Sequence, residues 1–405
     1  MENKAGSKLL RIVSALFIAG ILAFLALSGT VTLLRKSADV SYFENHALSA
    51  LPEPDRATVM DGSYFSALDT YLQDRTVGRN TLLRIETLLN MKLLRRPVVN
   101  EVVIRDNELL GWQDFWDYDS EWLAQQAEAM AERIAGHARV TEAYGGKYYY
   151  VAVPHQALAF ADDYPAYLQS HEDYYLETVS YLSAALETRD VAFLDMWEVF
   201  RSRGILTSVS SRIDNHFSIV GAMETYYAII AMLDDDLGLA ETALGPEDYR
   251  IEWLPNHYIG SRTRKLFDLW PSEEKLGVVV FSDPPAYHRR DISSHMNSAR
   301  EDAPIFEIPQ SPEVTVSYGL YMGGDWDCTV IETDRPEKPS ILIYGDSFTN
   351  AIECILWQDC DTMYSFDFRN YDAHTLDELI ALYQPDAVIC IRDCEAILKT
   401  SGNGQ

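Results

Sequence analysis

The first pattern along the chain is an uncharged apolar run, IVSALFIAGILAFLALSGTVTLL, at residues 12–34. Rising about 1.5 Å per residue, a helix of that length spans the ~30 Å hydrocarbon core of a bilayer. Lys4, Lys8 and Arg11 precede it, and Arg35 and Lys36 follow. A short basic N-terminus favours a cytoplasmic start. A cleaved signal peptide also fits, since ALSG offers small residues, but apolar positions continue through Leu34 and favour a retained anchor. The expected layout is a cytoplasmic stretch at 1–11, a transmembrane anchor at 12–34, a juxtamembrane linker at 35–62 and one extracytoplasmic domain at 63–405.

Beyond the linker the apolar spacing alternates between helical and strand periods. Leu68, Tyr71 and Leu72, then Leu82, Leu83, Ile85, Leu88 and Leu89, predict helix over 64–94. VVNEVVIRDNELLGW at 98–112 predicts a hairpin turning at RDNE, and a helix follows over 122–144, ended by Gly145 and Gly146. Apolar runs at 148–154 and 191–196 flank a helix at 171–188, and another helix is expected over 218–237. Late in the chain, strands at 340–345, 362–368 and 387–393 are separated by helices at 349–357 and 376–383. Short apolar strands alternating with helices predict βαβ units: an α/β fold with a parallel sheet. Residues 250–335 are Pro-rich with scattered strand-like runs such as GVVVF, and predict an irregular insertion.

Composition narrows the partners. The chain has 62 acidic and 33 basic residues, a formal charge of −29. Such a surface repels phosphate backbones, so nucleic acid is excluded as a partner. The five cysteines include no Cys-x-x-Cys spacing. They read as core residues, with one disulfide left open. No Cys/His cluster has zinc spacing, and the seven-residue gap between His288 and His295 follows no metal-ligand logic, so neither a metal nor a cofactor is expected.

The candidate chemistry lies in two segments. SILIYGDSFTNAI at 340–352 ends a strand on Gly345 and places Asp346 and Ser347 at the corner before a helix. In open α/β sheets, ligands sit beyond the carboxyl ends of strands, and a helix start offers free N–H groups to an oxyanion. In RIDNHFSIVGA, Asp214 precedes His216 by two residues, so in an extended segment both side chains point the same way. The carboxylate would then hold one imidazole nitrogen and leave the other for a serine. Each segment alone also suits an ordinary turn or helix cap.

Together, DNHFSIVGA and YGDSFTNAI resemble the DHHW protein family, which is related to the SGNH-hydrolase-like acetyltransferases of the alginate O-acetylation type (AlgX and AlgJ). YLQDRTVGRN, YIGSRTRKL, FDFRNY and QPDAVICI are similar to further family segments, so the resemblance covers nearly all of the chain beyond the apolar run. It implies an SGNH-like, flavodoxin-like sheet with helices on both faces. The order is permuted, because Asp214 and His216 precede Ser347. It further implies Ser347 as nucleophile, His216 as base, Asp214 as orienting acid and Arg369 in the same site, with Gly345 and Asp346 as oxyanion or substrate-binding candidates. Asn215, Phe217 and Ser218 depart from the family's His, Trp and Thr, and Gln156 stands where relatives often carry Lys.

The activity so implied is O-acetylation of a cell-envelope or exported polysaccharide through an acyl-serine. The acetyl donor would come through a membrane-bound O-acyltransferase partner. Two alternatives share the sequence features: a carbohydrate esterase with the same triad, and a non-catalytic glycan-binding or scaffold protein. The 24 tyrosines and 8 tryptophans, dense in GWQDFWDYD and YLQSHEDYY, could supply a glycan platform, although any single ring is more simply a core or rim residue.

Overall fold

The computed structural model describes residues 2–34, 40–44, 46–239, 243–294 and 296–404. His295 therefore lies outside the described residues. The chain divides into two compact units, one of residues 1–100 with 264–269 and one of residues 101–263 with 270–405.

The first unit is helical. Its N-terminal helix, Glu2–Leu34, contains a mostly exposed apolar stretch, Leu10–Leu34, long and apolar enough to cross a membrane. The helix expected over 64–94 is broken. Ser63–Arg75 ends where the Thr76 N–H bonds the Leu72 carbonyl, and Arg79–Leu88 begins after Gly78 at φ +81°. That left-handed backbone suits glycine and cannot continue a right-handed helix.

The second unit is built on an eight-stranded sheet. Five strands run parallel, in the order Thr362–Phe366, Ser340–Gly345, Ala387–Asp393, Lys147–Val153 and Ala192–Asp195. The alternation read from the sequence places their side chains on two faces. Tyr148, Tyr150, Leu342, Tyr344 and Val388 pack against the helices Ser120–Ala143, Glu172–Glu187 and Leu376–Tyr383. Tyr149 turns the other way and donates its hydroxyl to Asp236 at 2.6 Å, on the helix Ile219–Leu237. That helix packs beside Thr349–Leu356.

Within residues 250–335 the chain is more regular than its composition indicated. Cys328–Glu332, His288–Ser293 and Ser298–Glu301 extend the sheet as three antiparallel strands, and Tyr249–Trp253 pairs with Gly277–Phe281 in a separate ribbon. The sheet is thus mostly parallel.

The topology positions the chemistry. From Ser340–Gly345 the chain passes to Thr362–Phe366 on one side, then to Ala387–Asp393 on the other. Such a reversal opens a crevice at the carboxyl ends of the strands.

Candidate active site

Gly345 closes the central strand opposite Ile391, where a Cβ would fall 1.8 Å from the Ile391 carbonyl oxygen. Close approach of two backbones therefore requires the glycine. The Asp346 carboxylate accepts the Phe348 N–H at 3.1 Å and the Asp393 N–H at 2.9 Å. It builds the turn rather than offering a donor to an oxyanion. Ser347, partly exposed, stands at that corner immediately before the helix Thr349–Leu356. Its N–H has no hydrogen-bond acceptor among the described residues.

The second segment is a tight loop rather than the extended stretch expected. The Ser211 N–H bonds the His216 carbonyl, and the Ser211 hydroxyl accepts the N–H groups of Ile213 and Asp214 at 3.2 and 3.0 Å. Ser211 in turn donates to Glu274 at 2.5 Å. Asp214 and His216 still meet: His216 Nδ1 lies 2.6 Å from Asp214 Oδ1. The other carboxylate oxygen accepts the Ser261 N–H at 2.6 Å. His216 Nε2 lies 2.7 Å from Ser347 Oγ. A carboxylate at Nδ1 fixes the tautomer with Nδ1 protonated, so Nε2 is free to accept the serine proton. Asp214 is almost fully buried, and burial alone would raise its pKa. The His216 charge and hydrogen bonds from His216 and Ser261 outweigh burial and hold the carboxyl well below its usual range.

Two aromatic rings fix the imidazole. Tyr318 stacks on it with ring centroids 3.6 Å apart, and the Phe348 ring lies 4.8 Å away. Phe217 packs edge-on against Phe348 at 5.1 Å. Sequence reasoning missed Tyr318, which stands in no motif. Ser261 lay inside the quoted YIGSRTRKL but nothing marked its N–H as a ligand of Asp214.

Arg369 is held by carboxylates. It forks onto Asp367 at 2.8 and 2.6 Å and bonds Asp325 at 3.0 Å, and Asp325 accepts the Asn350 amide at 2.8 Å. Arg369 lines the same crevice as Gly345 and Asp346, but that crevice encloses only about 10 Å³ and admits no sugar. Asn215 faces the serine side of the imidazole. Its side-chain oxygen accepts the Ser261 hydroxyl at 2.7 Å, and its amide nitrogen comes within 3.5 Å of His216 Nε2. Gln156 is buried and structural, bonding the carbonyls of Leu109 and Ser211 and accepting from Arg262.

Among the described residues, His155, Asp393 and Glu395 are the side chains grouped closely enough to hold a metal ion, with ligand atoms within 4.8 Å of one another. Each has protein partners: His155 Nδ1 accepts the Ala157 N–H, Asp393 accepts the Glu395 N–H, and Glu395 bonds Lys399. Burial pushes the His155 pKa down from its ordinary value, against the pull of Glu395 at 3.4 Å.

A serine beyond a central parallel strand, backed by a histidine and a buried carboxylate that precede it in sequence, defines an SGNH hydrolase-like enzyme domain. Residues 113–314 match the family described as SGNH hydrolase-like domain, acetyltransferase AlgX. That stretch is similar to a domain of that type. The matched stretch includes Asp214 and His216 and ends before Ser347.

Among solved structures, Bacillus cereus PatB1 with a sulfonyl adduct is similar at 16% identity and a TM-score of 0.63, over 75% of this chain and 98% of that one. A DHHW family protein from Eubacterium siraeum is similar at 17% identity and a TM-score of 0.53, over 76% and 95%. At these identities the likeness speaks to the fold. No curated protein matches the chain in sequence.

Proposed function

We propose that this chain is a membrane-anchored, extracytoplasmic O-acetyltransferase that modifies a cell-envelope or exported polysaccharide. The observation that carries the reading is the hydrogen-bonded series Asp214–His216–Ser347, with contacts of 2.6 and 2.7 Å. Ser347 Oγ attacks the acetyl carbonyl of a donor while its proton passes to His216 Nε2. The tetrahedral oxyanion takes the Ser347 N–H, and removing one such donor costs about 3 kcal/mol of transition-state stabilisation. The intermediate collapses, the donor's leaving oxygen takes the proton from His216, and an acyl-serine remains. A sugar hydroxyl then loses its proton to His216, attacks the acyl-serine, and releases Ser347 as the proton returns to Oγ.

The helix Glu2–Leu34 supports anchoring, with the catalytic unit outside the cytoplasm. Acetyl-CoA does not reach that side, so the reading includes a membrane-bound O-acyltransferase partner that delivers the acetyl group across the bilayer.

The test is turnover of p-nitrophenyl acetate, alone and with mixed oligosaccharides, followed by mass spectrometry with Ser347→Ala as control. Serine-dependent acetylation of a sugar is the expected result. Serine-dependent acetate release alone would establish an esterase. Absence of serine-dependent turnover and of labelling by a fluorophosphonate would leave a binding or scaffold role.

A further inference from the structure

The two aromatic-dense stretches of the sequence, GWQDFWDYD and YLQSHEDYY, converge in space. Trp116, Tyr118 and Tyr174 form one edge-to-face cluster, with centroids 4.7 to 6.2 Å apart. They wall a cavity of about 530 Å³, a volume fit for one or two sugar rings. Trp116 lies flat on His171 at 4.4 Å, and His171 Nε2 is held 2.6 Å from the Asp114 carbonyl oxygen. His171 adopts φ +55°, a left-handed backbone rare for a non-glycine residue. So the stacking partner is fixed, yet Trp116 remains 39% exposed, and the neighbouring Phe115 and Tyr167 are 64% and 60% exposed. Core rings do not stay open in this way.

The polar lining is one-sided. The side-chain oxygen of Gln169 is buried and has no hydrogen-bond partner. An acceptor left unsatisfied costs free energy, and a hydroxyl would relieve it. Asp117, Glu172 and Asp173 add carboxylates, and no lysine or arginine is among the lining residues. Burial and the charges of Asp162 and Asp173 raise the Glu172 pKa, as a crowded negative site requires. An anionic ligand would meet repulsion here.

We infer that this cavity is a carbohydrate-binding subsite for the acceptor chain, selective for neutral glycans over uronic-acid polymers. Sugar C–H faces stack on Trp116, and sugar hydroxyls donate to Gln169 and the acidic rim. The inference rests on the reading of the chain as a polysaccharide-modifying protein. The segment that reaches the cavity follows the short helix Gln156–Ala159, and the Gln156 amide bonds the Ser211 carbonyl of the loop that carries Asp214 and His216.

The experiment measures binding in Ser347→Ala full-length protein in detergent, so that its outcome does not depend on turnover. Titrations with chitotetraose and cellotetraose, both neutral, are compared with tetragalacturonate by calorimetry and tryptophan fluorescence. At least one neutral probe is expected to bind, at least tenfold more tightly than tetragalacturonate. Trp116→Ala should weaken that binding tenfold or more, Gln169→Leu severalfold, and Trp116→Phe much less, with thermal unfolding of each variant checking the fold. Binding of neither neutral probe, equal affinity in folded Trp116→Ala, or a preference for tetragalacturonate overturns the inference. If the subsite binds but no serine-dependent acetylation occurs, the catalytic reading fails and the subsite stands.

Discussion

Tyr318 lies flat on His216, with ring centroids 3.6 Å apart and planes 7° from parallel. The stack leaves the imidazole free to move only in the plane that joins Asp214 to Ser347. Removing the ring with Tyr318→Ala is expected to lower kcat about tenfold or more through misplacement of the base, with a smaller change in KM. Tyr318→Phe keeps the stack and should recover most of the rate. A loss in KM alone would place Tyr318 in substrate binding instead.

In the proposed triad Asp214 would hold the working tautomer, through its 2.6 Å contact with His216 Nδ1. Asp214→Asn can present the wrong hydrogen to Nδ1, and the expected loss in kcat is on the order of 10⁴, as for other triads. The carboxyl also contributes to stability. Because its folded pKa is depressed from 3.8, the contribution is present above that unfolded value and is lost as pH falls through the folded one. The gap in Tm between wild type and Asp214→Asn should hold from neutral pH to about 5 and narrow only below about 4. Narrowing already near pH 6 would contradict the assignment.

Gly345→Ala should not fold well. Its Cβ would lie 1.8 Å from the Ile391 carbonyl oxygen, and neither strand can shift without breaking its ladder. Destabilisation of about 3 kcal/mol or more is expected in denaturant titration. A near-neutral result would show that the two strands approach less closely.

All five cysteines are buried as free thiols, and burial raises the pKa of each. Such thiols are poor nucleophiles. A disulfide-exchange thiol reagent should label none in the native protein and all five after unfolding without reductant. Fewer than five would reveal an oxidised pair.

Removal of residues 1–34 tests the anchor. The truncated chain should leave the membrane fraction and keep its serine-dependent turnover of p-nitrophenyl acetate. Membrane retention without the helix would point to another attachment.

Much of this arrangement was readable from periodicity. Strands such as Ser340–Gly345 and Ala387–Asp393 are buried along nearly their whole length, so they appear as unbroken apolar runs. His288–Ser293 was not readable, for a physical reason. Its sequence HRRDIS turns Arg289 and Asp291 inward, where they pair at 2.9 Å with both side chains fully buried. An inward-facing ion pair imitates a polar loop in any hydrophobic pattern. Asp214, His216 and Ser347 could be proposed because each lay in a short local segment. Tyr318 could not, since its value depends on a contact across a hundred residues of chain. The turn-building contacts of Asp346 are not legible in its segment either, because the Asp393 N–H reaches it only across the sheet.

The strand that presents Ser347 has no earlier neighbour in the sheet: both flanking strands, Thr362–Phe366 and Ala387–Asp393, come after it in sequence. Asp214 and His216 are thus synthesised well over a hundred residues before Ser347, and the strands that flank it follow later still. A nascent chain would carry Asp214 and His216 with no serine yet beside them. The three side chains come together only on a sheet in which Ala387–Asp393 has docked beside Ser340–Gly345, so their geometry reports an assembled sheet.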